Sequence, residues 1–211
     1  MTHLSCGRWD FARQNLPGTV EEQVDQALKK AGILCRETAK DLVSNHLLCS
    51  WKDAMDVLCI REYVGKVKRG YFVQKLSGIQ YIAEEHYQRV KDTLTHPRGE
   101  CKWLCAIDPA QPWGKIAPHI PERSFMNIAS TYVAMYSGRV VAVSEQKGKI
   151  LRIFEEDLME ELIKNFIREF SNAKIYRKSK RLVISDYPAA AVEFFIRFGM
   201  HREIKDYVIY R

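Results

Sequence analysis

The sequence predicts an α+β protein, with a winged helix followed by an α/β domain built on an antiparallel meander or a half-barrel. Three helical runs precede a short basic hairpin in the first half. Five of the seven prolines fall between positions 97 and 121, where they separate two halves of different periodicity. In the second half, short β-branched runs are joined by glycine-containing turns. We therefore expect a lead-in segment at 1–17, a winged-helix domain at 18–95 and a barrel-like α/β domain at 100–211.

The first helix opens with a capping box. Thr19 and Glu22 have the spacing at which a hydroxyl and a carboxylate satisfy the free amides of a helix amino terminus. Apolar residues then recur at helical spacing as far as Gly32, which predicts a helix over 20–31. A second short helix is expected over 36–45.

The third helix opens with Ser50 as its amino-terminal cap. Lys52 lies in its first turn and is a candidate phosphate contact. Asp53 and Asp56 would repel phosphates, so we do not expect this helix to read a DNA major groove deeply.

A basic hairpin follows the third helix, over positions 63–82, with Gly70 at its tip. Apolar residues alternate in it with cations, an arrangement with which a winged-helix domain meets a nucleic-acid backbone. Each cation that neutralises a phosphate releases a counterion, so four contacts would give a salt slope of roughly −3 to −4. The alternative is a hairpin whose cations are only solvated. The four cations are Lys66, Lys68, Arg69 and Lys75.

After a further helix over 83–94, the second half mixes strands and helices. Glycine-containing turns between its first strands predict an antiparallel meander. Strands are expected over 102–107, 131–136, 140–144 and 150–154, then a helix over 155–170, strands over 173–176 and 182–185, a helix over 188–198 and a last strand over 207–210.

Composition is compatible with a polyanionic partner, because the net charge is +7 and the isoelectric point is near 9.1. The six cysteines contain no C-x-x-C pair and no zinc-binding spacing, which favours free thiols in a reducing cytosol. We expect no metal and no cofactor. The sequence has no signal peptide and no run of 18 apolar residues, so we expect a cytoplasmic protein without a membrane partner.

Two segments of the chain resemble the region carboxy-terminal to the motor in Lhr-type (large helicase-related) superfamily 2 helicases. They are GKVKRGYFVQKLSGIQYI at 65–82 and AIDPAQPWGKIAP at 106–118. Weaker similarity extends to GRW at 7–9, GILCR at 32–36 and a tail that runs from LVIS to Gly199. Lys75 stands where the family usually has glycine, Trp113 stands where tyrosine is commoner, and Tyr187 delays the proline that follows Ser185.

This resemblance implies a helicase-associated module that grips single-stranded or forked DNA, or RNA, beside helicase motor domains in cis or in trans. No glycine is followed by Lys-Ser or Lys-Thr, so the chain lacks a P-loop and is not expected to hydrolyse ATP by itself. A protein-interaction domain that braces a motor remains a second possibility.

The second half holds three further candidates. Trp113 lies in a Pro/Gly loop, where it could stack on an unpaired base or pack the loop onto the sheet. A cation-rich turn could form a second phosphate patch or could be only solvated. Asp108 precedes Pro109 and could cap loop amides. By the resemblance of Lhr-type modules to AlkZ-type DNA glycosylases, it could instead be catalytic beside a flipped nucleotide. The turn's cations are Arg177, Lys178, Lys180 and Arg181.

Overall fold

The computed structural model describes residues 18–44, 48–74, 76–96, 99–115 and 117–211. The lead-in segment expected at 1–17 lies outside the described residues. The chain divides into two compact units between Gln88 and Arg89. Both contain helices and antiparallel sheet, which confirms the α+β class. Within the described ranges, no helix is both long enough and apolar enough to cross a membrane.

Three helices begin the first unit. They are α1 (Val20–Ala31), α2 (Arg36–Ser44) and α3 (Trp51–Tyr63). The predicted capping box is present, since the Thr19 hydroxyl accepts from the Glu22 amide at 3.3 Å and the Glu22 carboxylate accepts from the Thr19 amide at 3.0 Å. Ser50 caps α3 by accepting from the Asp53 amide at 3.1 Å.

A small antiparallel sheet completes the winged helix. Its strands are β1 (Ile33–Leu34), β2 (Val67–Gly70) and β3 (Gln80–Ala83), in the order β1–β3–β2. The strands β2 and β3 form the predicted wing, and β2 lies at the edge of the sheet. The tip is not at Gly70 as predicted, because Gly70 pairs with Gln80 and the loop over 71–79 joins the two strands. The helix α4 (Glu84–Thr95) follows directly.

One apolar core holds the three helices and the sheet of the first unit together. Val24, Leu28 and Leu58 are almost fully buried in it, because the helical spacing predicted for α1 and α3 turns their apolar faces inward. Its buried members are Val24, Ala27, Leu28, Leu34, Ala39, Leu42, Leu48, Ala54, Leu58, Val67 and Tyr81.

A four-stranded antiparallel meander forms the centre of the second unit. Its strands are β4 (Lys102–Cys105), β5 (Tyr132–Tyr136), β6 (Arg139–Glu145) and β7 (Ile150–Ile153), paired in chain order. This confirms the predicted meander, and no closed barrel is present in the described part of the chain.

Both faces of the meander are covered. The helix α5 (Met159–Ser171) packs on one face, where the Phe166 ring lies 4.7 Å from the Trp103 ring. The loop between β4 and β5 covers the other face and places Phe125 against Val133 and Val143.

A second three-stranded sheet follows α5. It consists of β8 (Arg181–Ile184), β9 (His201–Glu203) and β10 (Asp206–Tyr210), in the order β8–β10–β9, with α6 (Val192–Arg197) between β8 and β9.

The strand predicted at 173–176 is wrong. Ala173 and Tyr176 have φ values of 56° and 45°, in the left-handed region, so this segment is a series of turns. The helices predicted over 155–170 and 188–198 each begin with a short 3₁₀ turn, and their α-helical parts are α5 and α6.

Candidate nucleic-acid interface

The edge strand β2 presents the predicted wing cations to solvent. Val67 is 2% exposed and anchors the strand in the core of the first unit. Lys66, Lys68 and Arg69 are all exposed. The structure therefore brings three of the four wing cations together along one sheet edge, while Lys75 lies outside the described residues.

Two of these cations already have carboxylate partners. Lys68 Nζ lies 3.2 Å from a Glu84 oxygen, and Arg69 Nε lies 3.1 Å from a Glu62 oxygen. Such exposed ion pairs contribute only about 0–1 kcal/mol, so a phosphate can replace the carboxylate at little cost. Lys66 makes no ion pair with any of the described residues.

Side-chain hydrogen bonds hold the loop that joins the wing strands. The buried Gln80 amide accepts from the backbone amides of Phe72 and Val73, at 2.9 and 2.7 Å, and donates to the Val73 carbonyl at 2.9 Å. Farther along, Glu37 of α2 accepts from the backbone amide of Ser77 at 3.0 Å and from its hydroxyl. Partial burial raises the pKa of the Glu37 carboxyl, but these hydrogen bonds outweigh burial and hold the pKa below its ordinary value. The wing loop is thus tied both to β3 and to α2.

Tyr71 is a candidate that the sequence did not single out. It directly follows β2 and is 80% exposed, so its ring is presented beside the wing cations. An exposed aromatic ring next to cations is the combination that single-stranded nucleic acid binds. The sequence feature that could have identified Tyr71 is its position directly after Gly70, at the end of the basic strand.

Among the described residues, the helix α3 presents one free cation and several apolar side chains to solvent. Lys52 is exposed and makes no ion pair with the described residues. Arg61 is held by Asp25 and by the Glu21 carbonyl, and only 14% of its side chain is exposed. Ile60 and Tyr63 are exposed on the helix, so its solvent face is partly apolar. Whether α3 enters a groove stays a prediction, and Lys52 is the candidate phosphate contact on this helix that remains free of a carboxylate in the described part of the chain.

In the second unit, Asp108 and Trp113 lie in the loop that covers the meander. Asp108 accepts from the Ala110 amide at 2.9 Å, as expected of a turn-capping carboxylate. Lys115 donates to the Asp108 carbonyl at 2.6 Å. Burial lowers the pKa of Lys115, although the nearby Asp108 charge opposes this shift.

The Trp113 side chain is half-buried. It packs against the cluster that contains Ala106 and Phe125, and its indole donates to the Gly138 carbonyl at 3.3 Å. This geometry favours the packing role of Trp113 over base stacking.

The cation-rich turn at 177–181 is exposed and mostly unpaired. Within the described residues, Arg177, Lys178 and Lys180 make no ion pair. Arg181 pairs with Glu203 and lies over the Tyr210 ring at 5.6 Å. The patch lies on a turn and on the start of β8, because the expected strand before it does not form.

The described part of the chain contains no group of three His, Cys, Asp or Glu side chains that could hold a metal ion. Cys101 is buried in the core of the second unit, and burial raises its pKa to about 12.

Three helices, a small antiparallel sheet and an exposed basic edge strand define the first unit as a winged-helix domain. Residues 14–101 match the family model described as "Large helicase-related protein, winged-helix domain". This segment is therefore similar to the winged-helix domain of large helicase-related proteins, which confirms the resemblance drawn from the sequence.

Two curated relatives extend this result. The chain is 32% identical over 113 residues to "Lhr helicase/ probable uracil glycosylase" of Mycolicibacterium smegmatis, a match that covers 48% of this chain and 7% of that protein. It is 24% identical over 166 residues to "Lhr helicase/uracil glycosylase" of Escherichia coli, which covers 72% of this chain and 10% of that protein. The chain thus spans a tenth or less of either relative.

Proposed function

We propose that the chain is a nucleic-acid-binding accessory module of an Lhr-like helicase, which grips single-stranded or forked DNA through the wing of its first unit. Its partners are a nucleic-acid strand and helicase motor domains, in cis or in trans. The similarity to proteins named Lhr helicase supports the helicase association.

The observation that carries this proposal is the combination of cations and an aromatic ring at the edge strand β2. Lys66, Lys68 and Arg69 supply charge for phosphates, and the exposed Tyr71 supplies a surface for an unpaired base. Contacts of this kind are sequence-tolerant, because every nucleotide has a phosphate and a π-face.

The test is binding of a fluorescently labelled oligothymidylate, measured by anisotropy over a range of salt concentrations. We expect K66A/K68A/R69A to lower the affinity and to reduce the salt slope by about 2, because each neutralised phosphate on a single strand contributes roughly 0.7 to the slope. The variant K29A/K30A/K40A is the matched control, since it removes three exposed cations of the same unit outside the wing.

The ion pairs of the wing allow a second test, in which a substitution should raise the affinity. E62Q/E84Q removes both carboxylates that compete for Arg69 and Lys68, so it should tighten binding. The neighbouring change E85Q removes one carboxylate without touching a wing cation, so its effect should be less than half as large. Binding that is absent at low salt, indifferent to salt, or equally weakened by the lysine control would refute the proposal.

A second candidate is base excision, because both relatives carry "uracil glycosylase" in their names. In this alternative, Asp108 is the catalytic carboxylate. One of its oxygens accepts from Ala110, and Lys115 lies beside it. Incubation with uracil-containing single-stranded DNA, followed by a search for abasic sites, tests this function. Activity that is absent from the parent protein, or unchanged in D108N, would eliminate Asp108 as a catalyst.

A further inference from the structure

A cleft in the second unit has the chemistry of a nucleotide site. It has a volume of about 600 Å³, within the range of small-molecule sites. Its lining consists of Ala129, Ser130, Tyr132, Lys147 and the segment 176–179.

In the described lining of this cleft, every charged side chain is a cation. Lys147, Arg177 and Lys178 lie at it, and its described lining includes no carboxylate. None of the three makes an ion pair with the described residues. Unlike Lys68 and Arg69 of the wing, these cations need not leave a carboxylate before they contact a phosphate.

Two tyrosines form the aromatic part of the lining. The rings of Tyr132 and Tyr176 meet edge to face, with centroids 4.7 Å apart. Burial raises the pKa of Tyr176 above its ordinary value, and its hydroxyl is hydrogen-bonded to the Ser144 hydroxyl at 2.9 Å. Tyr176 is therefore fixed and neutral, while the half-buried Tyr132 leaves part of its ring accessible at the cleft.

The backbone on both sides of the cleft is held in place. Gln146, Lys147 and Gly148 have successive φ values of 51°, 61° and 101°. A Cβ at position 148 would lie 2.2 Å from the end of the Leu182 side chain, and the positive φ strains any other residue, so glycine is strongly favoured in the turn that presents Lys147. Left-handed backbone at non-glycine residues persists only where the surrounding structure imposes it, and it clusters at functional sites.

Arg211 holds the opposite side. Its guanidinium donates to the carbonyls of Ile175 and Arg177 at 2.8 and 3.0 Å, and it lies over the Phe170 ring at 4.3 Å. The turn that carries Arg177 and Lys178 is thereby ordered before any ligand arrives, which lowers the entropic cost of binding.

We propose that this cleft binds one unpaired nucleotide of a nucleic-acid strand, with the base against Tyr132 and the flanking phosphates against Lys147, Arg177 and Lys178. The proposal rests on the proposed function in one respect, namely that the ligand is a strand. The cleft itself belongs to the second unit and does not depend on the wing.

The experiment compares K147A/R177A/K178A with K164A/R202A/K205A, a control that removes three exposed cations of the same unit outside the cleft. Binding of a labelled oligothymidylate is measured by anisotropy at several salt concentrations, and thermal melting verifies the fold of each variant. We expect the cleft variant to bind at least about tenfold more weakly than the control and to show a salt slope reduced by about 2.

Tyr132→Leu tests the contact with the base. It retains apolar volume but removes the aromatic face, so it should weaken binding of oligothymidylate without changing the salt slope. An abasic strand of the same length should bind this variant and the parent equally. Equal losses on both strands would overturn the assignment of the base to Tyr132.

The remaining outcomes separate the cleft from the wing. If the cleft variant binds as well as its control while K66A/K68A/R69A loses affinity, the cleft proposal fails and the wing proposal stands. The reverse pattern refutes the wing and supports the cleft. If thymidine monophosphate alone, measured by calorimetry, binds the parent as tightly as the oligonucleotide and competes with it, the ligand is a free nucleotide and the strand assignment is overturned.

Discussion

At the scale of single residues, exposure separates two aromatic side chains that look alike in the sequence. Tyr71 and Trp113 both lie next to glycine and near cations. Tyr71 is 80% exposed beside the wing, whereas Trp113 is packed on the apolar cluster of the loop. The two residues should therefore respond oppositely to the same substitution.

We predict that Tyr71→Ala weakens oligothymidylate binding by about 1–3 kcal/mol and leaves the melting temperature nearly unchanged, because it removes a stacking surface and no packing. Tyr71→Phe, which retains the ring, should bind like the parent.

Trp113→Ala should instead destabilise the fold by about 2 kcal/mol, because it leaves a partly filled cavity. Anisotropy and thermal melting measure both effects, and a Trp113→Ala protein that is stable but binds weakly would restore the stacking role of Trp113.

Among single residues, the helix caps were predictable from the sequence, whereas the ion-pair partners were not. The capping box of Thr19 and Glu22 and the cap at Ser50 follow from local spacing, and the structure confirms both. The partners of Lys68 and Arg69 were not predictable in the same way. Glu84 comes close to Lys68 only when β2 pairs with β3, and Glu62 comes close to Arg69 only when β2 packs against α3.

At the scale of elements, local patterns identified the long helices and most of the strands. The two-residue strand β1 and the three-residue strand β9 were missed, because so few residues show no periodicity. The strand predicted over 173–176 was wrong for a different reason. Its sequence suits a strand, but Arg211 holds its carbonyls in a turn across more than thirty positions of chain.

The wing loop provides a pH-dependent prediction at this scale. The pKa of Glu37 lies below its ordinary value of 4.5. Above pH 4.5 the carboxylate is charged in both the folded and the unfolded state, so the hydrogen bonds that it accepts from Ser77 stabilise the folded state fully. This contribution is lost as the pH falls through the folded-state pKa. The amide resonance of Ser77, followed by NMR from neutral to acidic pH, should shift with a midpoint below 4.5.

Glu37→Gln is the informative variant for this titration, because it retains the shape of the side chain and removes the charge. The midpoint should disappear in Glu37→Gln and persist in Glu85→Gln, whose side chain does not touch the wing loop. A midpoint at or above 4.5 in the parent would show that burial outweighs the hydrogen bonds.

At the scale of the whole molecule, each compact unit has its own proposed contact with nucleic acid. The first unit offers the wing with Tyr71, and the second offers the cleft with Tyr132. Two weak sites on one chain bind a ligand that reaches both more tightly than either site does alone, because the second contact becomes intramolecular.

This reasoning predicts a dependence of affinity on strand length. A short oligothymidylate that can occupy only one site should bind weakly, and affinity should rise steeply once the strand is long enough to reach both sites. In K66A/K68A/R69A and in K147A/R177A/K178A the steep rise should be absent, because only one site remains in each variant. Anisotropy over a series of strand lengths measures the rise, and the length at which it occurs reports the distance along the strand between the sites. If affinity instead grows only in proportion to the number of positions available on the strand, in the parent as in both variants, the two units do not bind the same strand.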